Sequence, residues 1–367
     1  MRINIGVDLH KRQFTTYILE TGKFGRYDTN EAGYGRFRTE AEAIRADGNE
    51  IHLAVESTGN TRPFVAQVMS LCREVRIVNT LKFKVVTESV KKTDRHDAQT
   101  IAEFLAKDML PGATLCSKTS EVLKRMLSIR TKLVRLNVQL KNQVHGMLLS
   151  AGVVTEKQQL SSKKRRNAVL GLIADPAERD TISSMVDIIN TNVEQINGIT
   201  ARLEEMTNGD KAVQILKTIP GAGTVSAVTI RAYIDDIKRF SCYQKLSSYT
   251  GLVPWVQCSD ETKHYGNITK RGPSELRMAF VQLVIGMIRH KSSEYNKYIR
   301  QYHVLKAKKN SGKALVATAR KLTKLVWTLL TNEVEYDEAK ASVLNDIIKA
   351  DAADKLRKQR KSDETAA

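Results

Sequence analysis

Cysteine is scarce in this chain and follows no pattern. The four cysteines, Cys72, Cys116, Cys242 and Cys258, form no Cys-x-x-Cys pair, which argues against a zinc knuckle or a thiol redox centre. With no disulfide framework in view, a reducing cytoplasm is the expected compartment. Long apolar runs are also missing. The longest, Ala279 to Ile288, is interrupted by Gln282 and is too short to cross a bilayer. The opening Met1-Arg2-Ile3-Asn4-Ile5-Gly6-Val7-Asp8 is too short and too polar for a signal peptide. The expectation is a soluble cytoplasmic protein without a membrane partner.

Acidic residues are in deficit. Lys and Arg number 59 against 40 Asp and Glu, a net charge of +19 with a pI near 9.7. Such an excess points to a polyanion, nucleic acid before an anionic membrane surface. The positive charge is spread along the chain, at Lys91-Lys92, at Lys163-Lys164-Arg165-Arg166, at Lys270-Arg271 and at Arg277. A long binding surface suits this better than one targeting signal, although any single cluster also fits a solvated face. The 367 residues allow two or three domains, each with a real core.

The acids that remain are informative by position. Ile3, Ile5 and Val7 alternate with smaller or polar residues, a strand signal, and this strand ends at Asp8. β-rich runs follow at Phe14 to Leu19 and Phe24 to Tyr27, then a helix from Glu40 to Ala46. A strand Ile51 to Val55 ends at Glu56-Ser57-Thr58-Gly59-Asn60. A helix from Arg62 to Met69, a strand Val75 to Val78 and an amphipathic helix opening near Asp94 complete residues 1–110. This order fits a ribonuclease-H-like α/β domain. Asp8 and Glu56 each close a strand, the edge at which α/β sheets build their sites. Asp94 and Asp97 lie three apart, so a helix turns both carboxylates the same way. Alone, that pair also fits capping by Thr93 or Asp94 and a solvated acidic first turn. Together the four acids make a site for one or two Mg²⁺ ions, with Mn²⁺ as the alternative. Two such ions roughly 4 Å apart can clamp both oxygens of a phosphodiester exchange.

Residues 119–208 read as a helical coiled-coil domain. Met126, Ile129, Leu133, Leu136, Leu140, Val144 and Met147 form one apolar stripe, and Ile182, Met185, Ile189, Val193, Ile196, Leu203 and Met206 form its counterpart. The two helices are expected as an antiparallel hairpin that pairs either with itself or with another copy. Met109 to Lys118, containing Pro111-Gly112-Ala113, reads as a linker. Residues 211–335 form a third, mostly helical domain. Within it, Ile219-Pro220-Gly221-Ala222-Gly223 has the form of a helix-hairpin-helix turn. Gly221 and Gly223 would let backbone N–H groups face a phosphate; a plain helical turn is the alternative. Val256 to Gly266 has no clear apolar period and reads as a loop or irregular hairpin. Residues 336–367 are expected to be a flexible tail.

Several short motifs stand in one order: Gly6-Val7-Asp8, Val55-Glu56-Ser57-Thr58-Gly59 and Lys92-Thr93-Asp94-Arg95-His96-Asp97-Ala98. Ile219-Pro220-Gly221-Ala222-Gly223, Gly251-Leu252-Val253-Pro254, Ile268-Thr269-Lys270-Arg271-Gly272 and Leu276-Arg277 follow. Over about residues 1–335 the chain resembles the DEDD transposases of insertion sequences, the insertion-sequence-one-hundred-ten group, relatives of the Piv DNA invertases. The resemblance implies a Holliday-junction-resolvase-like N-terminal domain whose acids map to Asp8, Glu56, Asp94 and Asp97. It implies a coiled-coil middle and a C-terminal transposase domain. It also implies a serine nucleophile a few residues after Gly-Leu-x-Pro, here Ser259. Asp260 stands where glycine is usual, and Thr262 is the nearest other hydroxyl. The resemblance further implies donor and target DNA, a structured non-coding guide RNA, a homo-oligomer between dimer and tetramer, and a nucleoid-associated bacterial setting. The candidate nucleic-acid contacts are Lys91, Lys92, Lys163, Lys164, Arg165, Arg166, Gly221, Gly223, Lys270, Arg271 and Arg277. The alternative readings are a metal-dependent junction nuclease that uses water, and a non-catalytic nucleic-acid scaffold.

Overall fold

The computed structural model describes residues 1–80, 83, 93–259, 262–290 and 296–338. Lys91, Lys92 and the segment after Glu338 lie outside them, as do the side chains of Ser259 and Thr262. The chain divides into two compact units, Met1–Cys116 and Ser117–Ala367.

The first unit is built on a six-stranded sheet in the order β3-β2-β1-β4-β5-β6. Its strands are β1 (Arg2–Leu9), β2 (Gln13–Ile18), β3 (Lys23–Asp28), β4 (Glu50–Glu56), β5 (Glu74–Val78) and β6 (Gly112–Ala113). β1, β2 and β3 form an antiparallel meander, while β4 runs parallel to β1 and β5 parallel to β4. The described helices are α1 (Glu31–Ala46), α2 (Thr61–Val68) and α3 (Asp94–Ala106). Period-two alternation divides the sheet into two faces. Ile3, Ile5, Val7, Ile51, Leu53 and Val55 join Phe14, Phe37 and Phe64 in one core. The other face buries Ala54 and Val78 with Ile101 and Leu105 of α3.

Two elements differ from expectation. α1 begins nine residues before the expected Glu40, capped by Asn30 accepting from Gly33 N at 2.9 Å. Gly33 and Gly35 hide that start, since glycine disfavours helix by roughly 1 kcal/mol relative to alanine. Gly33 is nonetheless required, because a Cβ there would lie 2.1 Å from the Asp28 carbonyl oxygen. The expected linker contains β6, a short edge strand with Ala113 opposite Ile77. Two residues are too few to show a strand pattern.

The second unit contains α4 (Lys118–Ser150), α5 (Lys163–Leu170), α6 (Pro176–Met206), α7 (Lys211–Lys217), α8 (Thr224–Ile234), α9 (Tyr243–Thr250), α10 (Ser274–Arg289), α11 (Lys297–Lys308) and α12 (Ser311–Asn332), with the hairpin β7 (Pro254–Ser259) and β8 (Thr262–Ile268). α4 and α6 pair antiparallel. Arg130 Nε donates to Thr200 Oγ1 at 2.8 Å, and Asn192 Nδ2 donates to the Leu133 carbonyl at 3.0 Å. At one end Leu123, Leu127 and Leu203 enter the core of the C-terminal helices, with Val228, Leu246, Phe280 and Val326. At the other end Val144 and Leu148 pack with Leu160, Val169, Ile182, Val186 and Ile189. Between these cores the apolar stripe on α4 is not covered within the unit: Ile129 is 52% and Leu136 41% exposed. The helices are held there by the polar bridges rather than by a continuous seam.

Candidate metal centre

The carboxylate site begins with a missing side chain. A Cβ on Gly6 would lie 2.0 Å from the Ala98 carbonyl oxygen and 2.6 Å from Ala102 N. Glycine at 6 and alanine at 98 and 102 therefore let α3 approach the backbone of β1. Asp8 is two residues beyond Gly6 and shares its face of the sheet. The first turn of α3 thus meets the end of β1 where Asp8 stands. Thr93 caps α3, its hydroxyl accepting from His96 N at 3.3 Å. Asp94 is relieved of the capping task and lies in the first turn with Asp97.

Register supplies the second strand-end acid. Val7 is opposite Val55 in the parallel pairing of β1 with β4. One residue further along, Asp8 is level with Glu56, and Glu56 is opposite Val78 of β5. Both side chains lie on the α3 face, because Gly6 and Ala54 precede them by two residues.

His10, two residues beyond Asp8, joins the cluster. Its Nε2 lies 3.1 Å from Asp8 Oδ2 and 3.3 Å from Asp94 Oδ1. One ligand atom each from Asp8, His10 and Asp94 all lie within 4.8 Å of one another. Asp8 is 5% exposed. Burial pushes its carboxyl up to about 6; His10 opposes that shift, and the negative charges of Asp94, Asp97 and Glu56 reinforce it. A buried carboxylate repelled by three others is relieved by a cation. Oxygen-rich donors with one imidazole suit a divalent ion, so the residues fit the metal that the four acids suggested.

A further opening adjoins this edge, lined by Thr15, Phe24, Gly25, Arg26, Thr93, Asp94 and Arg95. Arg95 lies over the Phe24 ring at 5.3 Å from its centroid. No basic motif had pointed to Arg26 or Arg95, because they come together only through the β2–β3 meander and the start of α3.

Comparison with known proteins then assigns the family. A model for the transposases of the IS110 DEDD group matches residues 5–152, and one described as transposase IS116/IS110/IS902 family matches residues 213–300. The chain belongs to the IS110 family of transposases. A probable family 20 transposase of Pseudomonas aeruginosa is 24% identical, over 77% of this chain and 85% of its own length. The transposase for insertion sequence element IS1328 of Yersinia enterocolitica is 24% identical, over 91% of this chain and 98% of its own length. The pilin gene-inverting protein of Moraxella bovis is 23% identical, over 91% and 97% respectively. Membership of this transposase family makes DNA the substrate and recombination the class of activity.

The other candidate residues of this IS110-family protein have distinct settings. Ser259 ends β7 with its backbone opposite Thr262, so of the two expectations, loop or irregular hairpin, the hairpin is the one found, antiparallel with a register shift between Pro254 and Val256. Lys163, Lys164 and Arg165 are exposed on the first turn of α5. Arg166 is not available to nucleic acid. It is 2% exposed, and its guanidinium donates to Asn190 Oδ1 at 2.7 and 3.0 Å and to the Leu160 carbonyl at 3.1 Å. Helical geometry turns the fourth residue of that basic run inward.

Gly221 also has a packing role. Its φ is +77°, and a Cβ there would lie 2.3 Å from the Gly286 carbonyl carbon and oxygen, so glycine lets the turn abut α10. Gly223 is the N-cap residue of α8 and has open space beside it. Lys270, at φ +52°, and Arg271 are exposed after β8. Arg277 Nη1 instead braces that segment, donating to the carbonyls of Thr250 at 3.1 Å and Lys270 at 3.3 Å.

Proposed function

We propose that this transposase cuts and rejoins DNA with a carboxylate-held metal and a serine nucleophile, guided by a non-coding RNA of its own element. The observation that carries the reading is the meeting of a buried Asp8 with His10, Asp94 and their acidic neighbours at one sheet edge. The strand order 3-2-1-4-5, with a meander followed by parallel strands, supports a ribonuclease-H-like fold for that unit. A bound Mg²⁺ or Mn²⁺ would polarise the scissile phosphate and offset its developing charge. Asp8, Glu56, Asp94 and Asp97 would hold it, and its charge would offset their mutual repulsion.

Ser259 is the proposed nucleophile. Its Oγ forms a bond to phosphorus as a DNA P–O bond breaks; its proton leaves to solvent and the departing oxygen ends as a hydroxyl. The phosphoserine bond retains the energy of the cut linkage, so the reverse attack by a DNA hydroxyl rejoins strands without ATP. Lys163, Lys164, Arg165, Lys270 and Arg271, all exposed, supply backbone contacts to nucleic acid. The uncovered Ile129, Val134, Leu136 and Val138 on α4 support association of copies through the long helices. In such an oligomer the acids of one protomer complete the serine site of another.

Protein supplied with its element's RNA and DNA should yield a covalent protein–DNA adduct that is lost in Ser259→Ala. Cleavage that survives Ser259→Ala but not Asp8→Ala would replace the serine mechanism with hydrolysis by water. Mixing Asp97→Ala with Ser259→Ala chains should restore part of the activity. Mixtures that stay inactive although each variant assembles would rule out the shared site.

A further inference from the structure

We infer that His10 is a nitrogen ligand of the metal held by Asp8 and Asp94, and that it tilts the site from Mg²⁺ toward divalent transition ions. This rests on the metal-site reading above and adds a donor of a different kind to it.

The imidazole is placed as a ligand would be. Nε2 approaches Asp8 Oδ2 at 3.1 Å and Asp94 Oδ1 at 3.3 Å, so one ring atom faces both carboxylates. The ring is about half exposed, which leaves the site open to an incoming ion and its water. The backbone beneath it is fixed from two sides. His10 N donates to the Gln13 carbonyl at 2.9 Å, closing the β1–β2 connection. The His10 carbonyl accepts from Asn60 Nδ2 at 2.7 Å, and Thr58 Oγ1 donates to Asn60 Oδ1 at 2.8 Å, which orients that amide. Thr61 Oγ1 in turn donates to the Glu56 carbonyl at 2.9 Å. The loop carrying His10 is thus bonded to the turn that follows Glu56, and the two strand ends present their side chains as one assembly. These bonds fix the backbone from which the imidazole reaches the two carboxylates.

The chemical consequence is selectivity. Carboxylates and water suit Mg²⁺, which dehydrates reluctantly and takes oxygen; imidazole nitrogen favours transition ions. A site of carboxylates alone would discriminate less between Mg²⁺ and Mn²⁺ than one that includes His10.

The test uses the full chain with Mn²⁺ alone and Mg²⁺ alone, measured by calorimetry, and pulsed electron paramagnetic resonance of the Mn²⁺-loaded protein. Wild type should show nitrogen modulation from a bound imidazole. That signal should vanish in His10→Ala and persist in His96→Ala, a histidine in the first turn of α3. His10→Ala should lower the Mn²⁺-to-Mg²⁺ affinity ratio about tenfold, the lower end of what altering a ligand's support costs. Absence of nitrogen modulation in wild type, or its persistence in His10→Ala, overturns the assignment. So does equal or tighter binding of both ions by His10→Ala, the result expected if His10 were only a counter-cation that the metal displaces. Asp8→Asn separates the two levels. If it abolishes binding while His10→Ala changes nothing, the carboxylate site stands and the histidine ligand fails. If wild type binds neither ion, the metal-site reading fails, and this inference with it.

Discussion

Asp8 and Glu56 stand on neighbouring parallel strands in the middle of a six-stranded sheet, with a helix seated against one of them through a glycine. Ser259 stands at the end of a two-stranded hairpin. The first arrangement over-determines position, because register, close backbone approach and the core beneath α3 all agree on where the carboxylates sit. The second does not, since an isolated hairpin is at best marginally stable in water. Within the hairpin, Trp255 is half exposed beside Gly266. The contrast suits the proposed roles. Metal ligands must be held to a fraction of an ångström before the reaction, whereas a nucleophile that travels with a cut DNA end benefits from a support that can adjust.

Breaking each region should therefore give different signatures. Asp94→Ala and Ser259→Ala are each expected to reduce strand exchange by about a thousandfold or more, the scale seen when a group essential to the transition state is removed. They separate on another readout: added Mn²⁺ should raise the melting temperature of Ser259→Ala as it does for wild type, and not that of Asp94→Ala. Equal behaviour of the two variants would remove the division of labour.

Gly6→Val attacks the rigid region without touching a charge. Its side chain would have to displace Ala98 and Ala102 backbone atoms, so urea denaturation should show a loss of about 1–3 kcal/mol or more, with metal binding weakened as well. Gly266→Val in the hairpin should cost less, because the neighbour it meets is the Trp255 side chain at 3.1 Å rather than backbone.

The buried carboxyl gives a pH test. Asp8 has its ordinary value of 3.8 raised to about 6 in the fold. Between those values the folded protein holds a proton that the unfolded chain has released, so metal-free stability should fall as pH rises from about 4 to about 6. Asp8→Asn should remove that part of the slope and melt higher than wild type at pH 7 without metal. Metal binding should follow the opposite course, weakening as pH drops through about 6 because protons compete for Asp8. A stability slope unchanged by Asp8→Asn would refute this account.

The smallest effects distinguish neighbours in one basic run. Arg166→Ala leaves the buried Asn190 Oδ1 and the Leu160 carbonyl without their donors, costing about 1–3 kcal/mol. Nucleic-acid affinity per folded molecule should be unchanged. Lys164→Ala should leave stability within about 0.5 kcal/mol and lower the salt dependence of binding by about one charge. Reversed outcomes would return Arg166 to the binding surface.

Much of the N-terminal fold was legible because its strands alternate cleanly and end at acids, as Ile3, Ile5, Val7 and Asp8 do. The start of α1 was not, since Gly33 and Gly35 answer to tertiary crowding against Asp28 rather than to helix propensity. The α4 and α6 stripes correctly predict an antiparallel pair, but not that the middle of the α4 stripe would be uncovered within its own unit. Periodicity reports which residues want burial, not what buries them. Arg166 was misread for a related reason. Four consecutive cations look alike in a sequence, and only the packing of α5 selects the one that turns inward.

The order of motifs by itself pointed to the family and singled out the four acids and Ser259 that the proposed chemistry uses, because short motifs are visible in a chain whatever surrounds them. Only the tertiary structure decided that His10 belongs with Asp8 and Asp94. It also decided that Gly6 is what brings them together and that Gly221 packs against Gly286. These are contacts across strand, turn and helix. A glycine's reason for being where it is lies in the atoms opposite it, and those come from elsewhere in the chain.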